Sequence, residues 1–125
     1  MRVTIELSAE GGHLRHVRRI VATWMEAVGA SWDELPLVTT ELLSNALAAS
    51  PPDERVEITL EGGAAEVAVT VCDAGSGLKS RSFAAPPPSS ERGRGLAIVD
   101  GLADQLTIDR SHGHTRITAR KRAVP

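Results

Sequence analysis

The stretch TTELLSNALAAS, residues 39–50, has a clear helical pattern and also two polar residues that a packing helix does not require. Glu41 and Asn45 are four residues apart, so both project from the same face of the helix. Their oxygen atoms suit a hard cation or a proton acceptor. On its own, the pair is more typical of a solvent-facing glutamate and an asparagine bonded to backbone. The two residues border an apolar stripe formed by Leu35, Val38, Leu42, Ala46 and Ala49, so we expect them to look into the seam between this helix and the sheet.

Length and charge narrow the class of protein. A chain of 125 residues fits one domain with a single modest core. With 14 Lys and Arg against 16 Asp and Glu, the formal net charge is −2, which argues against nucleic-acid binding through a basic surface. The only aromatic residues are Trp24, Trp32 and Phe83, too few for a base-stacking platform.

The cysteine content and the hydropathy pattern exclude further classes. Cys72 is the only cysteine, which rules out an internal disulfide and a cysteine-based zinc site, and its apolar surroundings predict a buried, inert thiol. No apolar run approaches the roughly 20 residues of a membrane span. Residues 1–10 resemble a short strand rather than a signal peptide, so we expect a cytoplasmic protein.

Hydrophobic periodicity predicts the element order β-α-α-β-β-loop-α-β-β. The second helix is expected to begin near Trp32, because Ser31 and Glu34 have capping-box spacing. Residues 73–95 are rich in Gly, Pro and Ser and lack periodicity, which is typical of a functional or disordered loop. The predicted strands cover residues 3–7, 55–62, 65–73, 105–110 and 114–121, and the helices cover 14–28, about 32–50, and a segment from about 95.

Strands in adjacent pairs predict one α/β (α+β) domain over residues 1–125, built as a two-layer sandwich. Its sheet is expected to be mixed and largely antiparallel, with about three helices on one face.

A second polar motif, DAGSG at residues 73–77, directly follows a β-like run. Asp73 stands at the predicted strand end, where its carboxylate can accept a hydrogen bond from an exocyclic amine. Gly75 and Gly77 allow a flat ligand to approach the backbone closely. The same letters also fit an ordinary turn, in which Asp is simply a good turn former.

A third motif, RGRGL at residues 92–96, precedes an apolar helix. Free N–H groups at a helix N-terminus bind phosphate, and Gly93 and Gly95 permit its close approach. Arg92 and Arg94 add charge and a fork geometry that suits phosphate oxygens. The alternative is a glycine-broken loop that leads into a core helix.

Taken together, these motifs form one constellation: E-x-x-x-N on a helix, D-x-G-x-G after a strand, a long loop, R-G-x-G-L before a helix, and Thr115 in a closing strand. This order resembles the GHKL ATPase superfamily with its Bergerat ATP-binding fold. The short length is similar to that of the anti-sigma factor serine/threonine kinases, a HATPase_c family. The resemblance extends from Val3 to about Lys121.

The resemblance implies ATP and Mg²⁺ as cofactors and a role for each motif. Glu41 would act as general base on the attacking hydroxyl, and Asn45 would hold Mg²⁺ between the phosphates. Asp73 would bind the adenine amino group, and residues 78–92 would form the ATP lid. Further nucleotide contacts would come from Gly75, Gly77, Gly93, Gly95, Leu96 and Thr115, and from Arg92 and Arg94, which are added for their charge alone.

The implied function is that of an ATP-binding, anti-sigma factor-like regulator of transcription with Mg²⁺-dependent protein serine/threonine kinase activity. Its substrate would be an anti-sigma factor antagonist of the STAS type, and its other partners a sigma factor and a second copy of the chain in a homodimer. Neither direct nucleic-acid binding nor membrane binding is expected.

Three alternatives stay open at the level of sequence. The first is a nucleotide-binding, partner-switching regulator with little or no kinase activity, because Ala49 stands where the family often has a basic residue or His, and residues 86–88 make the lid stiff. The second is the catalytic lobe of a two-component histidine kinase. The third is a small α/β interaction domain without a ligand.

Overall fold

The structure, a computed structural model, describes residues 1–9, 14–50, 54–73, 91–111 and 114–122, and for residues 49, 91–94 and 111 it describes the backbone alone. These residues form five strands and three helices in the predicted order. The elements are β1 (Arg2–Ser8), α1 (Leu14–Val28), α2 (Leu35–Ala49), β2 (Arg55–Gly62), β3 (Glu66–Asp73), α3 (Glu91–Leu102), β4 (Gln105–Ser111) and β5 (His114–Arg122).

The five strands form one sheet in the order β1-β2-β3-β5-β4. Every pairing among these described strands is antiparallel, in agreement with the prediction of a largely antiparallel sheet. The β2–β3 hairpin turns at Gly62, whose φ of +123° lies in a region that favours glycine. A Cβ at Gly62 would also collide with the carbonyl oxygen of Glu66.

Strict alternation along the strands gives the sheet two different faces. One face carries apolar residues such as Ile58 and Val69, which are fully buried beneath the helices. Helix α2 lies between α1 and α3 and packs on β3, so its stripe of Leu35, Val38 and Leu42 is also completely buried. Because α2 contacts both other helices and the sheet, polar residues at the edge of its apolar stripe lie where α2 meets a neighbouring element.

The start of α2 differs from the capping-box prediction. The helix begins at Leu35, its N-cap is Glu34, and no side chain caps it. Trp32 is only 2% exposed and belongs to the core, and its carbonyl accepts the N–H of Leu35 in a turn. Burial of the Trp32 ring therefore holds this residue in the connection between the helices, and Pro36 occupies the first helical turn, where its missing N–H costs nothing.

The prediction of a buried Cys72 is wrong. Its side chain is partly exposed on the face of the sheet that no described helix covers. The reason is alternation: Asp73, Val71 and Val69 point towards the helices, so Cys72 points the other way. Among the described helices, none is long and apolar enough to cross a membrane.

Candidate functional site

Helices α2 and α3 approach each other closely at Glu41, Asn45 and Gly95. Gly95 is buried, and a Cβ built on it would lie 2.7 Å from Glu41 Oε2 and 3.7 Å from Asn45 Nδ2. A carbon atom at 2.7 Å from that oxygen is not tolerated without displacement of the carboxylate. Glycine at residue 95 therefore allows α3 to lie directly against the two polar side chains of α2.

The sequence predicted that Glu41 and Asn45 look into the seam between their helix and the sheet. The structure places both residues, partly buried, in the seam between α2 and α3 instead. The Asn45 amide nitrogen is buried, and within the described part of the chain it has no hydrogen-bond partner. A buried polar group without a partner costs about 1–3 kcal/mol, so it is typical of a position that a ligand completes.

A second polar group lies where the end of β3 pairs with the start of β5. Asp73 and Thr115 are directly opposite each other in the antiparallel register, so both side chains point towards the helices. Asp73 is 1% exposed and Thr115 is 4% exposed. A carboxylate and a hydroxyl thus lie side by side in a nearly water-free position, and the structure brings together two residues that the sequence analysis selected separately.

Ser50 belongs to this second group, and sequence analysis did not select it. Its hydroxyl lies 2.8 Å from Asp73 Oδ1 and 2.7 Å from the carbonyl oxygen of Ala46. Ser50 is the C-cap of α2, so the end of this helix contacts the end of β3. A serine at a helix end was the available signal, but its partner is 23 residues away in the sequence and only the tertiary structure identifies it.

The described part of α3 extends further towards the N-terminus than the prediction of a helix from about Gly95. Residues 91–94 are already helical, so Arg92, Gly93 and Arg94 belong to the helix rather than to a loop before Gly95. Gly95 therefore lies within the helix, where it approaches Glu41 and Asn45 of α2.

Several of the predicted site residues are not part of either polar group as the structure describes it. Gly75, Gly77 and most of the predicted lid lie outside the described residues, as do the side chains of Arg92 and Arg94. Leu96 is half-buried against the hydrophobic core, so its described contacts are those of packing. The side chain of Ala49 is likewise outside the description, and the structure does not test the importance of the missing basic group.

The two polar groups are far enough apart to contact different parts of one ligand. Glu41 and Ser50 are nine residues apart on α2, which is roughly 13 Å along the helix axis. No cluster of three or more His, Cys, Asp or Glu side chains occurs among the described residues, so a metal here would need ligands from outside the protein. Mg²⁺ fits that condition, because it usually takes one or two protein oxygens together with phosphates and waters.

Comparison with known proteins places this fold. The sequence profile of the histidine kinase-like ATPase domain matches residues 7–121, almost the whole chain. The crystal structure of the RsbU and RsbW domains of Rv1364c from Mycobacterium tuberculosis is similar, with a TM-score of 0.67 and 23% sequence identity. The match covers 98% of this chain and 32% of that one, so this chain spans about a third of that neighbour. No curated protein matches the sequence at a significant level.

The structural likeness concerns the fold: three helices on a five-stranded antiparallel sheet form an α/β sandwich of the Bergerat type. Proteins of the matched family bind ATP. Because the family profile covers far more than half of the chain, this protein belongs to the family of histidine kinase-like ATPase domains.

Proposed function

We propose that the chain is an ATP-binding, anti-sigma factor-like regulator that transfers the γ-phosphoryl group of ATP to a serine or threonine of an antagonist protein of the STAS type. The observation that supports the proposal is the close approach of Gly95 to Glu41 and Asn45. A carboxylate and an amide thus lie beside the glycine-containing segment of α3, which is the proposed binding region of the phosphate groups.

Glu41 is the proposed general base. Its carboxylate would accept the proton of the attacking hydroxyl while that oxygen bonds to the γ-phosphorus and the bond to the leaving ADP breaks. Asn45 would contribute an amide oxygen to Mg²⁺, which when bound neutralises charge that develops on the phosphates. The partly buried position of both side chains supports these roles, because electrostatic effects are stronger where water is excluded.

Asp73 is the proposed acceptor for the adenine amino group, and Thr115 a second contact with the base. An ionised carboxylate is an acceptor alone and has about four lone-pair positions, so it can accept a ligand donor in addition to a protein donor. Burial of both residues supports the role, because a hydrogen bond made away from water discriminates more strongly between bases.

The test is single-turnover transfer of labelled phosphate from ATP·Mg²⁺ to candidate antagonists that carry a STAS domain. We expect transfer by the wild type, and a loss of at least about 100-fold in Glu41→Ala with the affinity for ADP unchanged. Glu26→Ala is the matched control, because Glu26 is an exposed carboxylate on α1. Equal transfer by Glu41→Ala and the wild type would contradict the role of Glu41.

The same experiment separates the kinase from the alternative regulator that only binds nucleotide. Tight binding of ATP with no transfer to any antagonist would select the alternative and contradict the kinase. Absence of nucleotide binding would contradict both, and it would appear as no increase in Tm at saturating ATP·Mg²⁺, because a ligand that binds the folded state must stabilise it.

A sigma factor is the other proposed heterologous partner, through the family resemblance stated above. Affinity purification from the native host in ATP and in ADP would identify the partners. We expect different proteins in the two nucleotides, and an identical set in both would contradict partner switching.

The proposed homodimer is best supported by the uncovered face of the sheet. A row of threonines crosses all five strands in register: Thr4, Thr59, Thr70, Thr118 and Thr107. In the next row, Glu57 on β2 and Arg116 on β5 flank Cys72 on the central strand β3, and Glu6 on β1 and Asp109 on β4 occupy the outer positions. The two residues next to β3 in this row thus have opposite charges.

A second copy related by a two-fold axis along β3 matches this charge pattern. Such packing places β2 of one protomer over β5 of its partner, so each Glu57 faces an Arg116 and the two Cys72 side chains lie near the axis. Reversal of one charge would place like charges together, whereas reversal of both would restore the attraction.

Analytical ultracentrifugation tests the proposed dimer. We expect a wild-type dimer, a monomer for Glu57→Arg, and a dimer again for Glu57→Arg with Arg116→Glu. Mild oxidation should cross-link the wild-type dimer through Cys72 and should not cross-link Cys72→Ser. A wild type that stays monomeric at about 100 μM would contradict this part of the proposal, because its Kd would then exceed that concentration.

A further inference from the structure

Two exposed apolar side chains lie beside the seam between α2 and α3. Leu37 is 44% exposed and stands four residues before Glu41, so it is on the same face of α2. Ile98 is 45% exposed and stands three residues after Gly95, so it is on the face of α3 that approaches α2. Both helices thus present a large apolar side chain to solvent about one turn away from the close approach of Gly95 to Glu41.

The two helices run in opposite directions. Helix α2 ends beside the end of β3, where Ser50 bonds to the last residue of that strand. Helix α3 ends beside the end of β5, where the side chain of Lys121 donates to the carbonyl of the last helical residue. Because β3 and β5 are antiparallel, these two places are at opposite ends of the sheet. From Gly95 onwards, α3 therefore runs towards the start of α2, and Ile98 lies across the seam from Leu37.

The two exposed side chains border a shallow apolar groove. The next residue of each helix, Val38 on α2 and Val99 on α3, is fully buried in the core. We call the surface formed by Leu37, Val38, Ile98 and Val99 the α2–α3 groove. Removal of exposed apolar surface from water is favourable, so this groove favours a partner that contributes an apolar side chain.

Negative charge lies on both sides of Leu37 along α2. Glu41 follows it by roughly 6 Å along the helix axis, and the N-cap residue Glu34 precedes it by roughly 4–5 Å. Neither carboxylate forms an ion pair within the described part of the chain. Residues 35–49 contain no Lys or Arg, and the only charged side chain among residues 95–102 is that of Asp100. Charge complementarity therefore favours a partner with a basic side chain.

We infer that the α2–α3 groove is the docking surface for the segment of the protein substrate that carries the accepting hydroxyl. This inference rests on the proposed function, in which Glu41 accepts the proton of that hydroxyl. Such a base acts at about 2.6–3.2 Å, so the accepting segment has to cover the surface next to Glu41. The groove is part of that surface, and it assigns to the segment an apolar side chain between Leu37 and Ile98.

The spacing along α2 also predicts where the recognised side chains lie in the substrate. An extended segment rises about 3.3 Å per residue, so the roughly 6 Å from Glu41 to Leu37 corresponds to two residues. We expect an apolar residue two positions from the accepting Ser or Thr. A basic residue about three positions from the acceptor, on the same side, would face Glu34.

The experiment measures phosphoryl transfer to the STAS-domain antagonist that the wild type phosphorylates, over a range of antagonist concentrations. The groove variant combines Leu37→Ser with Ile98→Ser. Ile20→Ser is the matched control, because Ile20 is a 40% exposed apolar residue on α1, outside the groove. We expect the groove variant to raise KM for the antagonist about tenfold, with kcat and the Kd of ADP within about twofold of the wild type. Ile20→Ser should keep the wild-type KM.

Glu34→Lys tests the charge beside the groove. No side chain caps α2, so this substitution removes no capping hydrogen bond. We expect KM for the antagonist to rise about threefold, and the difference from the wild type to decrease at high salt, because the lost attraction is between exposed charges. Glu26→Lys makes the same charge change on the exposed face of α1 and should leave KM unchanged.

Alanine replacements in the antagonist identify the apolar side chain that the groove binds. Each apolar residue within four positions of the accepting Ser or Thr is replaced in turn. We expect one replacement to raise KM with the wild type and to have less than a twofold effect with the groove variant, because substitutions of residues in contact are not additive.

The outcomes separate this inference from the proposed function. An unchanged KM in the groove variant, beside clear transfer by the wild type, would overturn the inference and leave the proposed function intact. An equal rise of KM in Ile20→Ser would overturn it as well. A change of the groove variant from dimer to monomer would assign the groove to a second copy of the chain and also overturn it. A wild type that transfers phosphate to no antagonist would instead overturn the proposed kinase, and this inference with it.

Discussion

The two polar groups along α2 are built in opposite ways. At the C-terminal end, Ser50 already bonds to Asp73, and Thr115 lies beside that carboxylate. In the middle of the helix, the Asn45 amide nitrogen is buried without a partner in the described part of the chain, next to Gly95. The first group is held in place by the protein's own hydrogen bonds, whereas the second contains a buried polar atom that the described residues leave without a partner.

Under the proposed function, this difference would suit one helix to both ends of a nucleotide. Recognition of a base depends on acceptors with a fixed direction, and protein hydrogen bonds can supply that direction in advance. An amide that binds phosphate or Mg²⁺ must be available to the ligand. An amide that is already hydrogen-bonded to the protein would have to break that bond first. The stability lost at Asn45, about 1–3 kcal/mol, is consistent with such a role.

The largest expected effect comes from Gly95→Ala, which would disturb the polar group formed by Glu41 and Asn45. The new methyl group would displace the Glu41 carboxylate, because its carbon would lie 2.7 Å from Oε2. We expect phosphoryl transfer to fall about 100-fold, since displacements on the order of 1 Å have effects of that size. Transfer rates under single-turnover conditions measure the change.

Gly101→Ala is the matched control for that substitution. Gly101 lies in the same helix, and no atom is within 4 Å of the position of its Cβ. If both variants lost transfer equally, a general effect on α3 would explain the result and the specific contact with Glu41 would not.

Asp73→Asn is expected to have the next largest effect, because it alters the polar group formed by Asp73, Ser50 and Thr115. The substitution removes the negative charge and replaces one of the two acceptor oxygens by an NH₂ group, which cannot accept a hydrogen bond from the amino group of adenine. We expect the affinity for ADP to fall about 10–100-fold, because a hydrogen bond to a charged acceptor is lost. Calorimetric titration measures the Kd, and Asp109→Asn on the uncovered face of the sheet serves as control. An unchanged Kd would contradict the role of Asp73 in base recognition.

Asn45→Ala tests whether the polar group in the middle of α2 contributes to the binding of Mg²⁺. We expect the Kd of ADP without Mg²⁺ to stay within about twofold of the wild type, and the gain from added Mg²⁺ to fall about tenfold. Titrations at 0 and saturating Mg²⁺ measure both quantities. Ser44→Ala, at the exposed neighbouring position, should behave as the wild type. An equal loss with and without Mg²⁺ would show that Asn45 contributes to packing rather than to the metal.

The smallest effect is a gain in stability from Gly101→Ala. Alanine is favoured over glycine in a helix by about 1 kcal/mol, and the exposed position leaves room for the methyl group. Thermal unfolding should therefore give a higher Tm than the wild type. A lower Tm would contradict the description of this residue as an open helical position.

Local patterns predicted most of the elements correctly. Helix α1 spans Leu14–Val28 and strand β2 spans Arg55–Gly62, as their periodicities predict. The errors lie at helix starts, where local signals compete with packing. The capping-box spacing of Ser31 and Glu34 did not start α2, because Trp32 is buried in the core at that point.

The candidate site was predictable in its residues and only partly in its geometry. Glu41 and Asn45 were selected from one motif and Gly95 from another, and the structure brings the two motifs together. The pair Glu41 and Asn45 was predicted between the helix and the sheet and lies between α2 and α3 instead. Sequence periodicity identifies the face of a helix, but it does not identify the element that packs against that face. Ser50 was missed for a similar reason, since a helix-terminal serine is usually a local cap.

The alternation that gives the sheet a buried and a polar face follows from the sequence of each strand, as does the threonine that each described strand contains on the uncovered face. Such features depend on side-chain direction within one element, which has a fixed period of two or of 3.6 residues. The tertiary structure alone decided the contacts of Gly95 with Glu41, of Ser50 with Asp73, and of Asp73 with Thr115. These contacts join residues far apart in the chain, and strand register and helix packing, rather than any local preference, bring such residues together.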